Sequence, residues 1–492
     1  MTFGIHSRKA MPVFCGLTEI SFVVTSFMKR AFPLLVFCSI AFAGSCSPGM
    51  DRVRRELGID ELHSRGINGQ GVLVAIMDRG IDWRNDDFRH PDGTTRIDTI
   101  WDSTAGTVSL FSRDQINRAL KEGSDLPARD AVGHGTTTAG IAAGSGRNAG
   151  GKYCGVAPNA TLIIAKITGG APAHDDQPAE PLFYDERKVL DAIDFIARRA
   201  RELKMPCVML LNVGSIGGPT DASSALARKI DATVGPGTKG LVFVTGPGDD
   251  GGRQNHARGI LRKGTPASLR YWKDSPGPTV VDLWYPGQSR VSVAVESIEG
   301  KVLCQPSARP ATNDDWFEQK GEQARYMHLG SKRLYFGSQS DRREVWFTFD
   351  GSPGEYRLVL DRQDDADIGD VFFDAFSPGN APTPSLPPHN RFLNHVATGG
   401  SIWHGAAAKH NICPGDYVIR TDYVAANGRS MSLIKAGVVG ELWKGSSVGP
   451  TIDGRTGIHF CAPGDHVFTT YGMGSDWAQK KHASNFIATG DG

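Results

Sequence analysis

Two spacings of apolar residues alternate along the first half of the chain. Near-continuous apolar runs suit parallel strands that are buried on both faces, and they lie at 72–77, 160–167, 207–213 and 240–244. Between the second and third runs, the segment 184–203 carries apolar residues at helical spacing with charged residues opposite them. Strands that alternate with helices predict a doubly wound α/β domain built on a parallel sheet.

The pattern changes after about position 270. Short runs with alternating apolar residues, separated by turn residues such as Pro286-Gly287, predict an all-β sandwich, and they lie at 280–285, 290–295, 345–349 and 356–360. The proline-rich stretch 374–390 is expected to be a loop. We therefore expect a sandwich insert over 270–436, with the α/β domain formed by 55–268 and 437–492.

Composition excludes some classes of protein. The 492 residues include 54 basic and 53 acidic side chains, and 40% are hydrophobic. This balance is typical of a globular protein and lacks the basic excess of a nucleic-acid binder. The cysteines after position 46 form no zinc signature and no dense disulfide framework. Cys304 and Cys413, which fall in the same predicted insert, are the first candidates for a pairing.

The amino-terminal residues 1–46 have the pattern of an export segment, with Met28 as the expected true start. A basic Met28-Lys29-Arg30 precedes an apolar stretch at 31–42, and small residues at 43–45 lead into Cys46. Small residues directly before a cysteine resemble a bacterial lipobox, which predicts lipidation of Cys46 and anchoring to the cell envelope. Ordinary cleavage near Ala43, which would give a secreted protein, is the alternative. The lipid would be the chain's only contact with a membrane.

Two segments carry candidate chemistry. The first apolar run ends in Asp78, where a parallel sheet would place it at the carboxyl edge that usually bears the active site. His134 lies between Gly133 and Gly135 at the start of a small-residue helix. An imidazole can accept a proton from an attacking hydroxyl while a carboxylate fixes its tautomer. Taken alone, Asp78 is better explained as a turn acid and His134 as a structural histidine.

The context of these residues resembles the subtilisin-like (S8) serine proteases. Asp78-Arg79-Gly80-Ile81-Asp82 is similar to the aspartate region of that family, and Gly133-His134-Gly135-Thr136 is similar to its histidine signature. The resemblance implies that Asp78 orients His134, that His134 is the general base, and that the substrate is a protein or peptide. It also implies that extended substrate pairs with Asn212, Val213, Gly214 and Ser215. No cofactor is required; calcium is common in the family, yet no metal ligands can be assigned.

The segments 92–102 and 284–287 resemble a bacterial subgroup with a jelly-roll insert, to which the clostridial germination proteases belong. One departure concerns the oxyanion position. The family has an Asn in a Gly-Asn-Glu-Gly turn, and this chain has Asp249 in Gly248-Asp249-Asp250-Gly251. An ionised carboxylate accepts hydrogen bonds and cannot donate one. The same turn matches a dinucleotide fingerprint, but the turn-like residues after it argue against that function.

The other departure concerns the nucleophile. Gly490-Asp491-Gly492 resembles the approach to the family's serine, so we expect the serine in sequence that follows Gly492. The polypeptide as written then carries the base and its orienter but no hydroxyl to activate, and we expect it to be inactive. A pseudoprotease that acts as a surface binding or regulatory protein is the alternative. Its exposed aromatics would include Trp272, Trp284 or Trp316, although sandwich core is the favoured interpretation of these side chains.

Overall fold

The computed structural model describes residues 50–169, 185–274, 276–304, 316–320 (backbone only), 324–330, 334–364, 369–378, 390–432, 437–465 and 467–479. They belong to one compact unit, residues 47–492. The predicted export segment with Cys46 and the terminal residues 490–492 lie outside the described residues. Within the described ranges, no helix combines the length and apolar character that crossing a membrane would require.

The helices are short except for one. They are α1 (Met50–Glu56), α2 (Ile59–Ser64), α3 (Arg113–Glu122), α4 (His134–Ala143), α5 (Glu186–Leu203) and α6 (Ala225–Val234). Ser112 begins α3 with a reciprocal capping box to Gln115, and the Asp185 side chain accepts a hydrogen bond at the start of α5. Such caps satisfy amide groups that have no partner within the helix.

Most strands in the described residues fall into two groups along the chain. The first group is β1 (Leu73–Asp78), β2 (Ile97–Asp102), β3 (Ser109–Ser112), β4 (Thr161–Lys166), β5 (Cys207–Leu211) and β6 (Leu241–Thr245). The second is β7 (His256–Leu261), β8 (Ala267–Lys273), β9 (Thr279–Tyr285), β10 (Val291–Ser297), β11 (Val302–Cys304), β12 (Trp316–Lys320), β13 (Ala324–Leu329), β14 (Arg343–Phe349), β15 (Gly354–Arg362), β16 (Val371–Phe376) and β17 (Arg391–Phe392). Four short strands follow: β18 (Pro414–Val418), β19 (Asp422–Val424), β20 (Ser430–Ser432) and β21 (Phe460–Asp465).

The first group forms one sheet in the order β3-β2-β4-β1-β5-β6. Neighbouring strands run parallel, apart from the antiparallel edge strand β3. Apolar side chains of α5 and α6 pack on one face of this sheet, and those of α3 and α4 pack on the other. Every residue of β1 is buried, as its apolar run predicts for a central strand. The predicted α/β fold with a parallel sheet is confirmed.

The second group forms two antiparallel sheets, in the orders β11-β10-β15-β8-β17 and β12-β13-β14-β9-β16-β7. A shared apolar core includes Leu269, Leu283, Phe347 and Leu358. Of the three tryptophans considered as exposed aromatics, Trp284 is fully buried, and Trp272 is partly exposed with its indole nitrogen donating to Asp274. The side chain of Trp316 lies outside the described residues.

The packing differs from the predicted boundaries. The β-rich part starts at His256 instead of 270, because β7 pairs with β16. The chain returns to the α/β core well before 437, since Trp403 and Cys413 pack in the same cluster as α5 and α6. Asp374–Phe376, expected to begin a loop, are the end of β16.

The suggested Cys304–Cys413 pairing is wrong. Cys304 packs in the core between the two antiparallel sheets, whereas Cys413 packs in the α/β core. Neither cysteine forms a disulfide, and among the described residues the same holds for Cys154, Cys207 and Cys461. The prediction placed both cysteines in one insert because it extended the insert to residue 436, whereas the chain has already returned to the α/β core at Cys413.

Candidate active site

Asp78 and His134 come together at the carboxyl edge of the parallel sheet. Asp78 is the last residue of β1, and His134 is the first residue of α4. The Nδ1 atom of His134 lies 2.7 Å from Oδ1 and 2.9 Å from Oδ2 of Asp78. The carboxylate is fully buried, whereas 31% of the imidazole side chain is exposed. A buried acceptor on Nδ1 fixes the imidazole in the tautomer with its proton on that nitrogen.

Glycines allow this close approach. A Cβ on Gly135 would lie 2.2 Å from the carbonyl oxygen of Gly80, a distance that real Cβ atoms do not reach. Gly133, which precedes the helix, has φ of 113° and therefore occupies the left-handed region that favours glycine. These positions explain physically why glycine flanks the histidine on both sides.

Asp130 holds the loop before the histidine. One carboxylate oxygen accepts hydrogen bonds from the amides of Val132 and Gly133, and the other accepts from the amide and hydroxyl of Thr136. Asp130 is buried. This role of Asp130 was not predicted, although an acid four positions before the histidine is compatible with a cap of this kind.

Opposing effects act on the pKa of His134. Burial acts to lower it, because a charged imidazole loses solvation. The charge of Asp78 and its hydrogen bond act to raise it, and together they outweigh burial, so the net shift is upward. The imidazolium form is therefore stabilised by Asp78, which is what a base that briefly holds a proton requires.

A second residue that the sequence analysis missed contacts the imidazole. The ring of Trp477 meets that of His134 edge-on, with centroids 5.8 Å apart and planes at 66°. The amide of Trp477 donates to the carbonyl oxygen of Val132. The segment at 475–479 thus lies beside the loop and helix that carry His134.

The predicted substrate strand continues from β5 toward this site. Asn212 donates from its side chain to the hydroxyl of Thr138 on the His134 helix, at 3.1 Å. Beyond Ser215, the amide of Ile216 donates to the Oδ2 atom of Asp250 at 3.0 Å. The segment Asn212–Ser215 therefore lies between the histidine helix and the turn that contains Asp249 and Asp250.

A comparison with known protein families identifies the family to which the chain belongs. A family model described as "Subtilase family" matches residues 69–492. The chain belongs to the subtilase family. This match spans β1 with Asp78 and α4 with His134, and it also spans the β-rich part.

Curated relatives of this subtilase share parts of its sequence. It is 34% identical to Subtilisin-like protease PopC of Myxococcus xanthus over 112 residues, which are 23% of this chain and 19% of PopC. It is 28% identical to Minor extracellular protease Vpr of Bacillus subtilis over 206 residues, 42% of this chain and 21% of Vpr. With subtilisin of Bacillus sp. TA39 it shares 25% identity over 236 residues, 48% of this chain and 41% of that protein. The chain spans less than half the length of these relatives.

The fold of the subtilase is similar to a solved structure, that of the Clostridium perfringens CspB protease. The TM-score is 0.65 at 20% sequence identity, and the alignment covers 88% of this chain and 84% of the other. At that identity the similarity concerns the fold alone.

The turn at the predicted oxyanion position is held by Asp250 and leaves Asp249 exposed. Asp250 is buried; its Oδ1 accepts from the side chain of Asn255 at 2.6 Å, and its amide donates to the hydroxyl of Ser447. Burial, with the nearby charge of Asp249, raises the pKa of Asp250 to about 6. The Asp249 side chain is 60% exposed, and its Oδ2 lies 4.0 Å from an Nη atom of Arg253.

A cavity of about 850 Å³ lies elsewhere, where α5 meets the β-rich part, and it is lined by Glu186, His404, Tyr335 and Phe336 among others. Burial raises the pKa of Glu186 to about 7 and lowers that of His404 to about 3. Burial therefore favours the neutral form of both groups, and their 3.6 Å contact is not a full ion pair. Sequence reasoning missed this pair. Among the described residues, no cluster of three or more His, Cys, Asp or Glu is arranged to hold a metal ion.

Proposed function

We propose that this subtilase is a serine endopeptidase that hydrolyses peptide bonds of proteins through an acyl-enzyme. The contact of Asp78 with His134 Nδ1, beside a partly exposed imidazole, is the observation that carries this proposal. The proposed reaction requires a serine hydroxyl within hydrogen-bond reach of the other imidazole nitrogen of His134.

His134 would act twice in the reaction. It takes the proton of the serine hydroxyl as the oxygen attacks the substrate carbonyl, and then gives that proton to the leaving amine as the C–N bond breaks. Water repeats the same sequence on the acyl-enzyme and releases the acid. Throughout, Asp78 holds the ring and stabilises the imidazolium.

The substrate would lie extended against Asn212, Val213, Gly214 and Ser215 and pair with their backbone groups. The carbonyl oxygen that becomes negative would face residue 249. An ionised Asp249 gives no donor there, and loss of one such donor typically costs about 3–4 kcal/mol of transition-state stabilisation. We therefore propose a slow peptidase unless a backbone amide or a protonated Asp249 supplies the missing hydrogen bond.

We also propose that the β-rich part, 256–392, is a jelly-roll domain inserted into the peptidase scaffold, and that the protein is exported. The basic, apolar and small-residue pattern over 28–46 supports export, with Cys46 as the lipid attachment site. The relative Vpr is named as an extracellular protease. Neither nucleic acid nor a cofactor enters the proposed reaction.

A fluorophosphonate probe tests the enzymatic proposal directly, because it labels only an activated serine. Full-length protein should be labelled, and the His134→Ala variant should lose labelling. His410→Ala, at an exposed histidine, is the matched control and should label normally. A folded full-length protein that contains the serine but stays unlabelled would contradict the proposal.

A pseudoprotease that binds peptides or another partner is the second candidate, and Asp249 is the observation that favours it. An exposed carboxylate at the oxyanion position leaves a groove that can hold peptide without stabilising the transition state. Absence of labelling together with peptide binding that depends on Asn212–Ser215 would support this candidate.

A further inference from the structure

Trp403 occupies the space between two segments that border the proposed substrate groove. The first, Asn212–Ser215, continues β5, and the second, Gly246–Asp249, continues β6. Since β5 and β6 are parallel neighbours in register Leu211 with Thr245, the two continuations start side by side. We call the space between them the recess; it lies at the carboxyl edge of the sheet, where Asp78 and His134 meet.

The position of this recess identifies the substrate side chain that would enter it. The scissile carbonyl must lie near both His134 and residue 249 for the proposed reaction to occur. In a substrate that lies extended along Asn212–Ser215, the residue before the cleaved bond supplies this carbonyl. Its side chain then lies between the two continuations. The size of the recess consequently sets which residue can precede the cleaved bond.

The indole of Trp403 fills that recess. Its Nε1 donates to the carbonyl oxygen of Gly246 at 2.9 Å, and its backbone amide donates to that of Pro247. The opposite wall is Gly214, where an added Cβ would lie 2.7 Å from the indole ring carbons. The ring is thus in contact with both walls, and the side chain of Trp403 is only 2% exposed.

Packing also keeps the ring in place from behind. An added Cβ on Gly405 would lie 2.3 Å from the indole, and Trp403 belongs to the same apolar core as Leu226 of α6. Moving the ring out of the recess would break a hydrogen bond and open a cavity in this core, and both changes are unfavourable.

We propose that Trp403 is the specificity-determining residue of this subtilase, and that it restricts the residue before the cleaved bond to glycine or alanine. The inference rests on the proposed peptidase function. Because the indole contacts both walls, a leucine or phenylalanine side chain in the recess would overlap the ring, whereas glycine needs no room there and alanine needs room for one methyl group only.

The test compares peptides that differ only at that residue, with glycine, alanine, valine, leucine or phenylalanine, as substrates of the full-length protein. We expect kcat/KM for glycine or alanine to exceed that for phenylalanine at least about 100-fold, since each excluded methylene already discriminates about 10–200-fold. The Trp403→Ala variant should raise the ratio of phenylalanine to alanine cleavage at least about 10-fold.

Trp403→Leu serves if the alanine variant does not fold, because it keeps an apolar side chain in the core while shortening it. Trp272→Leu, the same change on the β-rich part, should leave the profile unchanged. The inference would be overturned, and the proposed function kept, if wild-type protein reacted with the fluorophosphonate probe and, in a separate assay, cleaved after phenylalanine as fast as after alanine. Absence of labelling would instead overturn the proposed function, and the inference with it.

Discussion

Substitution of Gly135 by alanine tests whether the contact between Asp78 and His134 depends on the close packing of α4 against the turn at Gly80. Gly135 is the second residue of α4. The new Cβ would lie 2.2 Å from the Gly80 oxygen, whereas real Cβ atoms essentially never come closer than 3.0 Å. The two backbones must therefore separate by about 0.8 Å or more. Overpacking of this kind typically costs about 1–3 kcal/mol, which outweighs the helix propensity of alanine over glycine, at most about 1 kcal/mol.

The separation acts directly on the contact between the two side chains, because Asp78 is two residues from Gly80 and His134 adjoins Gly135. An Nδ1–Oδ1 distance of 2.7 Å would lengthen to about 3.5 Å, where a hydrogen bond is essentially lost. The pKa of His134 should then fall, since the contribution of Asp78 that raises it weakens while burial still lowers it. A misplacement of about 1 Å can reduce an enzymatic rate by about 100-fold.

The assay is an NMR-monitored pH titration of His134, assigned with a His134→Gln variant, together with urea unfolding. Gly169→Ala is the control, because a Cβ there meets only ordinary contacts at 3.6 Å, and it should leave the titration unchanged. A folded Gly135→Ala protein with an unaltered His134 titration would refute the reasoning, because the contact would then tolerate the added methyl group.

Four further outcomes are expected. Asp249→Asn should raise the fluorophosphonate labelling rate or kcat of full-length protein by about 100- to 1000-fold, because it restores a donor. Burial raises the pKa of Glu186 from an ordinary 4.5 to about 7, so the folded state of the wild type loses stability as the pH rises from 4.5 to about 7. Glu186→Gln has no such charge to bury. In urea unfolding, its free energy of unfolding relative to wild type should therefore increase by about 3 kcal/mol across that pH range. Arg96→Met should lower the free energy of unfolding by about 3 kcal/mol or more, because the buried guanidinium donates to three backbone carbonyls and each hydrogen bond of a charged group is typically worth about 1.5–3 kcal/mol. The exposed Arg187→Met should change it little. A thiol reagent should modify the exposed Cys461 in native protein, and the buried thiols only after unfolding.

Four strands of the parallel sheet, β1, β4, β5 and β6, could be predicted because they are short, apolar and bounded by turn residues, whereas β2 and β3 were not predicted. The run at 207–213, for example, became β5 (Cys207–Leu211), with its last two residues forming the start of the predicted substrate strand. The helix expected over 184–203 became α5 (Glu186–Leu203). Both signals are local, so neighbouring residues suffice to identify them.

The limits of the β-rich part could not be predicted because they depend on distant pairing. The sequence of β7, His256–Leu261, contains an arginine and a glycine and shows no clear alternation; it is a strand because β16 pairs with it. The return to the α/β core passes through the small residues Gly405 to Ala408, which carry no periodic pattern. Their packing against α6 follows from tertiary contacts alone.

The residues of the candidate site also differ in whether a local sequence pattern or only a distant contact reveals them. Asp78 and His134 were found because each is embedded in a local pattern of glycines and small residues. Asp130, Trp403 and Trp477 escaped notice, because a single acid or indole has no signature until the fold brings it to the histidine or the groove. The last two lie about 270 and 340 residues from His134 in sequence, and yet each borders the site.

The chemistry at residue 249 decides between the two proposed functions. Asp249 is mostly exposed, so its carboxylate lies in contact with solvent. The side chain of Arg253 is only 7% exposed and makes no hydrogen bond within the described residues, and its Nη2 atom lies 4.0 Å from the carboxylate. The guanidinium can offset the charge of Asp249, but at that distance through partly exposed surroundings the attraction is modest. When the Arg253 guanidinium offsets the charge of Asp249, it reduces the repulsion between the carboxylate and the substrate oxygen. It does not turn the carboxylate into a hydrogen-bond donor. A protease activity of this chain must therefore draw its oxyanion stabilisation from backbone amides or from a protonated Asp249. The gain in rate of Asp249→Asn measures how much stabilisation these donors fail to provide.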